Sequence, residues 1–272
     1  MKRLAFVLTA LLLSSQAFAG AWVQAPDAVD ITTTLSDLNT SAVYDQDGHR
    51  TRYPNQGASA QDQLNTYVEY GLTPTVTLLG NFFVDNVIYK DSFSSSHDTG
   101  FANQELGARY LLSAPEAPWV RSVQAVIVVP TYGTNRPNLG SGHIDGQLSY
   151  ALGHELLLFD RKGYVSIDGG VRLRGGSPAD ELRADFDMGL QLSSHWALQS
   201  GVYAIKSLNN GASNVTGQFI NANNYDLYKL QLSLAYAVTP TISVEGGWVD
   251  NFAGRNTTAG SSVFVGLRMK LP

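Results

Sequence analysis

The stretch Glu181-Leu182-Arg183-Ala184-Asp185-Phe186-Asp187-Met188-Gly189-Leu190-Gln191-Leu192 sets six apolar residues, Leu182, Ala184, Phe186, Met188, Leu190 and Leu192, at alternate positions. Between them stand Glu181, Arg183, Asp185, Asp187 and Gln191. Successive side chains of a strand point to opposite sides, so a period of two marks a strand whose two faces meet unlike surroundings. A water-soluble helix needs its apolar residues three and four apart instead. The same pattern returns from Tyr228 to Val238, where Leu230, Leu232, Leu234 and Tyr236 oppose Lys229, Gln231 and Ser233. It is present again from Gln63 to Leu72, with Leu64, Val68, Tyr70 and Leu72 against Gln63, Asn65, Tyr67 and Glu69.

On either side of the stretch Glu181–Leu192, Tyr70, Tyr110 and Tyr150 are spaced by 40 and each precedes an aliphatic residue and a turn; Tyr236-Ala237-Val238-Thr239-Pro240 has the same form. The repeating unit is one hairpin plus one longer loop. Alternation predicts twelve strands, near 29–44, 62–72, 75–90, 101–112, 119–132, 143–153, 163–174, 181–192, 196–208, 225–238, 241–251 and 260–271. Short turns are predicted at 73–74, 113–118, 154–162, 193–195 and 239–240, and longer polar loops at 45–61, 91–100, 133–142, 175–180, 209–224 and 252–259. An even strand number with alternately short and long connections fits an all-β, transmembrane, antiparallel up-and-down barrel, short turns in the periplasm and long loops outside. Tyr70, Tyr110, Trp119, Tyr150, Trp196 and Tyr236 lie on the apolar face near the short turns, where an interfacial girdle belongs. The competing reading is a soluble barrel or sandwich with the apolar face turned inward. Pro130 cannot donate to a ladder and marks a strand end or a bulge.

Lys2 and Arg3, the apolar run Leu4–Leu13 and the small-residue triplet Ala17-Phe18-Ala19 form a secretory signal, too short to span a bilayer. Residues 1–19 are read as that signal and 20–272 as the barrel, placing the protein in a bacterial outer membrane. Removing Lys2 and Arg3 takes the formal net charge from −5 to −7, which speaks against a nucleic-acid partner. Cysteine is absent, so thiolate metal sites, disulfides and cysteine nucleophiles are excluded. The expected partners are outer-membrane lipid, the barrel assembly machinery and a small-molecule solute, with no cofactor and no metal.

The start Gly20-Ala21-Trp22 and the hairpin Tyr67-Val68-Glu69-Tyr70-Gly71-Leu72-Thr73-Pro74-Thr75-Val76-Thr77-Leu78 resemble the outer-membrane proteins of the MetA-pathway of phenol degradation family. In layout the chain is also similar to 12-stranded monomeric porins. The resemblance implies a barrel concerned with solute uptake and brings no catalytic residue with it. The chain departs from the wider outer-membrane pattern in ending Met269-Lys270-Leu271-Pro272, where a terminal aromatic is usual.

If the apolar face meets lipid, the other face lines a lumen. The residues so assigned are Glu69, Asp85, Glu105, Arg109, Gln147, Asp168, Arg172, Arg174, Glu181, Arg183, Asp185, Asp187, Lys229, Glu245 and Arg268. Barrels of about 8 strands are filled by side chains and those of 16 to 18 are open, so a twelve-stranded one predicts a narrow, polar, mixed-charge pore. The alternatives are a plugged structural barrel, its arginines and carboxylates interlocked across the lumen, or an outer-membrane lipid hydrolase. Folding the hairpin 163–192 about its loop sets Arg174 near Glu181, Arg172 near Arg183 and Asp168 near Asp187, and opposed carboxylates can attract a cation. For catalysis only Ser94-Ser95-Ser96-His97-Asp98 is suggestive, and direct adjacency in sequence rarely yields a nucleophile within reach of its base. The reading is therefore a channel and not an enzyme.

Overall fold

A strand that is apolar on one side and charged on the other needs two surroundings at once, and a sheet closed on itself in lipid supplies both. The computed structural model describes residues 20–114, 116–133, 136–214 and 222–272; the signal assigned to 1–19 lies outside them. In chain order the strands are β1 (Val29–Thr40), β2 (Ala42–Tyr44), β3 (Arg50–Arg52), β4 (Ala58–Thr73), β5 (Val76–Lys90), β6 (Ser95–Phe101), β7 (Asn103–Leu111) and β8 (Trp119–Pro130). They continue with β9 (Asp145–Leu158), β10 (Arg161–Leu173), β11 (Glu181–Gln191), β12 (Trp196–Ser207), β13 (Asp226–Ala237), β14 (Ile242–Arg255) and β15 (Thr257–Leu271).

Twelve of the described strands form the ring β1-β4-β5-β7-β8-β9-β10-β11-β12-β13-β14-β15, each antiparallel to its neighbour. The ring closes where β15 returns to β1, with Val29 opposite Leu271 through to Leu38 opposite Ser262. The remaining three, β2, β3 and β6, raise the wall at the long-loop end, β2–β3 as a hairpin on β15 and β6 on β5.

That taller wall is where the structure departs from the sequence reading. Residues 91–100 and 252–259 are assigned above to loops, yet β6 pairs with the upper half of β5, and β14 and β15 run on to Arg255 and from Thr257. Only Asn256, at φ 51°, makes the turn between them. Apolar alternation stops where lipid stops, whereas the hydrogen-bond ladder continues into water and leaves no hydropathy signal. The turn placed at 154–162 likewise shrinks to Phe159-Asp160, both at positive φ as a two-residue hairpin requires. Pro130 is the last residue of β8.

The faces are inverted relative to a soluble protein. Leu64, Ile127, Leu148, Ile167, Leu232 and Val263 are exposed, while Asp30, Asn81, Glu105, Asp168, Arg172 and Gln231 are buried inside. This rules out the soluble barrel with an apolar interior, and the protein is a β-barrel of the outer-membrane type. Tyr110, Trp119, Tyr150 and Trp196 are exposed beside the short turns. Trp119 stacks on His154 at 4.5 Å, and Tyr236 packs between His195 and Trp196.

Phe186 stands at the centre of β11 and faces outward, 38% exposed, whereas its neighbour Asp185 faces the lumen. A charge facing lipid at the bilayer midplane costs about 2–4 kcal/mol in such barrels. Phe186→Arg should therefore lower the yield of barrel refolded into liposomes far more than Asp185→Arg, as read by heat-modifiable gel mobility. Equal yields would reverse the assignment of faces.

Candidate functional site: the polar lumen

Ion pairs organise the inner wall, and two of its arginines, Arg172 and Arg109, reach past the adjacent strand, as the concave side of a closed sheet permits. Near the long-loop end, Arg172 on β10 meets Glu105 on β7 at 2.7 Å and donates to Gln147 at 2.8 Å. Glu181 is gripped from two directions, by Arg174 at 3.0 Å and by Arg183 through Nε and Nη2 at 2.9 and 2.8 Å. Arg174 also lies 3.5 Å from Asp145. At the short-turn end Arg109, 2% exposed, bonds Glu69 at 2.8 Å and Gln124 at 3.0 Å. Tyr67 donates to the same Glu69 at 2.7 Å, and the Arg268 guanidinium pairs with Asp30. Removing charges from water is costly, and such pairs persist because further donors and acceptors satisfy what the partner does not. Asp85 accepts from Gln63 at 2.9 Å.

Within the hairpin of β10 and β11 the register differs by two residues from that read above. Arg172 is opposite Glu181, Gly170 opposite Arg183, Asp168 opposite Asp185 and Ser166 opposite Asp187. A shift of two leaves each residue on the same face of its strand. Its cause is Asp180, whose carboxylate accepts the Arg174 N–H at 2.8 Å and takes that residue out of the ladder. The same bond holds the Asp180 carboxyl, in the loop, below the ordinary carboxylate range. Lys229 is opposite Tyr203, and Glu245 is opposite the buried Ala235.

Sequence reasoning missed the segment before β1. Residues 20–28 do not trail away; they form a strap across the lumen at the short-turn end. Asp27 N–H donates to the Gly71 carbonyl and Gly71 N–H to Ala28, at 2.8 and 2.9 Å. Next, Gln24 donates through its backbone to Thr77 at 2.8 Å and through its side chain to Glu69 at 2.5 Å. The Trp22 carbonyl then accepts from Arg109 at 2.8 Å. Finally the Trp22 ring meets Tyr164 edge-on at 5.9 Å and covers Gly153, where a Cβ would come within 2.7 Å of it. Tyr164 belongs to β10, which lies on the opposite side of the ring from β1, so the strap crosses the barrel. Gly71 is the tightest point, since any Cβ there would collide with the Ala25 carbonyl. Glycine inside a strand marks such close approaches, and Gly71 and Gly153 were the available signal.

At the other end, the connection after β8 folds inward. Leu139 is buried against Val87 and Ala102, with Phe83 and Tyr132 beside them. The Ser94–Asp98 stretch serves this docking: Asp98 accepts the Asn138 N–H at 3.1 Å and Ser96 accepts from the Asn138 side chain at 3.2 Å. His97 pairs with Asn86 at 2.7 Å and Thr99 at 3.0 Å.

A closed, lipid-facing sheet with a charged interior defines a transmembrane barrel of the outer-membrane class. Residues 40–267 match the MetA-pathway of phenol degradation family, and the chain belongs to that family. Among solved structures, an outer membrane channel from Pseudomonas putida F1 is similar with a TM-score of 0.69 at 15% identity, over 95% of this chain and 100% of that one. The NanC porin is similar with a TM-score of 0.52 at 9% identity, over 88% of this chain and 100% of that one. At such identities the likeness concerns the fold. No curated protein sequence matches the chain.

Ala21 in the strap is fully buried and the chain has no native cysteine, so Ala21→Cys reports on docking. A membrane-impermeant maleimide should label it slowly in the refolded barrel. Adding Gly71→Ala should speed labelling at least about tenfold, the factor given by about 1.4 kcal/mol of lost docking. Labelling of Ala21→Cys alone at the unfolded rate would show that the strap is not seated.

Proposed function

We propose that the protein is a channel of the bacterial outer membrane that passes small solutes through a narrow polar lumen, with the strap setting the constriction. The observation that carries this reading is the inner wall itself: charged side chains of both signs, held in fixed pairs, with a strap laid across them. Glu69, Asp85, Glu105, Arg109, Gln147, Asp168, Arg172, Arg174, Glu181, Arg183, Asp185, Asp187, Lys229, Glu245 and Arg268 are its proposed lining. Acids outnumber bases among them, eight to six, and fixed charge inside a low-dielectric wall selects ions by sign. A modest cation preference follows. The family description concerns phenol degradation, and small aromatic solutes suit a wall bearing the rings of Tyr67, Tyr164 and Tyr203. On the same reading residues 1–19 direct export, the assembly machinery inserts the chain, lipid surrounds it, and no catalysis takes part.

The strap and the interlocked arginines also favour a second reading, a barrel plugged at rest. Single-channel recording separates the two. The refolded protein should carry a small current with a reversal potential of cation sign in a salt gradient, and a variant lacking residues 20–27 should conduct severalfold more. Silence from both proteins would overturn the channel reading; equal currents would free the strap of any part in the constriction.

A further inference from the structure

On the wall from β10 to β12 stand acceptors that the barrel leaves unused. Asp187 is 2% exposed; its Oδ1 accepts from the Tyr203 hydroxyl at 2.7 Å while its Oδ2 has no hydrogen-bond partner among the described residues. Gln199, 4% exposed, likewise has an unpartnered Oε1, and it lies one inward step from Asp187 on the neighbouring strand. Asp185 precedes Asp187 by two residues on β11 and is opposite Asp168. The nearby cations are largely committed: Arg172 to Glu105 and Arg183 to Glu181. Lys229 is level with Asp185 and offsets one of the three carboxylates, leaving Asp168 and Asp187.

Aromatic rings flank these carboxylates because glycine makes room for them. The Tyr203 ring leans over Gly201, where a Cβ would collide with its hydroxyl, and the Tyr164 ring lies over Gly189 in the same way. A buried carboxylate oxygen without a donor is costly, so this wall suits a ligand that brings positive charge and N–H groups together. Ring faces beside carboxylates favour an organic ammonium, which gains from both. A shared metal ion fits less well. Among the described residues, the group whose ligand atoms lie within 4.8 Å of one another is Asp45, Asp47 and His49, in the exposed turn between β2 and β3.

We infer that the cluster of Asp168, Asp185, Asp187, Gln199, Tyr164 and Tyr203 on the inner wall binds the ammonium group of a small organic amine. The inference rests on the lumen being reachable by solutes and names the class of solute that would dwell there. Its test is calorimetric titration of the full refolded barrel with n-propylammonium chloride and, separately, with n-propanol, followed by current recording in the same amine. Propylammonium should bind and propanol should not; Asp187→Asn should weaken binding at least about tenfold, the loss of one charge-assisted hydrogen bond. Should that variant fail to fold, Asp168→Asn is expected to weaken binding in the same direction. Equal binding of amine and alcohol, or full displacement of the amine by equimolar potassium chloride, would overturn the assignment. Amine binding without current would keep the site and remove the channel reading; current without amine binding would remove the site alone.

Discussion

Every backbone N–H and C=O that enters the hydrocarbon must find a partner within the protein, because nothing in lipid can supply one. The pairing of Val29–Leu38 with Ser262–Leu271 meets that demand, since it turns a sheet with two open edges into one with none. The rest of the architecture depends on it. Closure fixes which face of each strand is concave, concavity brings charged side chains from non-adjacent strands within reach, and the convex face is left apolar. It also joins the two ends of the chain, so the ladder is complete only when the last strand is in place.

Inside, the charges are held by geometry as much as by attraction. Arg109 serves Glu69, Gln124 and the strap carbonyl of Trp22 at once, so one guanidinium ties β4, β7, β8 and the N-terminal segment together. Glu181 receives two arginines and thereby joins the hairpin of β10 and β11 to its own loop. Where such pairing is dense, near Glu105, Arg172 and Glu181, little unsatisfied capacity remains. Where it is sparse, around Asp187 and Gln199, acceptor atoms are left without a donor among the described residues. One barrel wall thus combines a densely paired part with a sparsely paired one.

Much of this was legible in the sequence because lipid and water impose opposite demands on alternate residues. Phe186 and Asp187 are neighbours with reversed surroundings, and period two exposes that directly. The division of each strand into two unlike faces rests on the same parity. What remained hidden left no hydropathy signal. The ladder of β6 and the tops of β14 and β15 lie beyond the apolar belt, so polar strand and polar loop read alike there. The β10–β11 register turned on a single carboxylate, Asp180, closing the loop by its side chain. The strap was hidden because Gly20–Ala28 has no alternation at all; its place is set by Gly71 and Gly153, whose missing side chains make room for it.

One face of each strand meets lipid and the other faces the polar interior, a division that can be read position by position along β11. A chain without native cysteine allows single spin-labelled cysteines at each position from 182 to 190 in the barrel refolded into liposomes. Collision with oxygen, which concentrates in lipid, should peak at 182, 184, 186, 188 and 190. Collision with a water-soluble nickel complex should favour the positions between them. An alternation with the two quenchers exchanged, or no alternation at all, would contradict it.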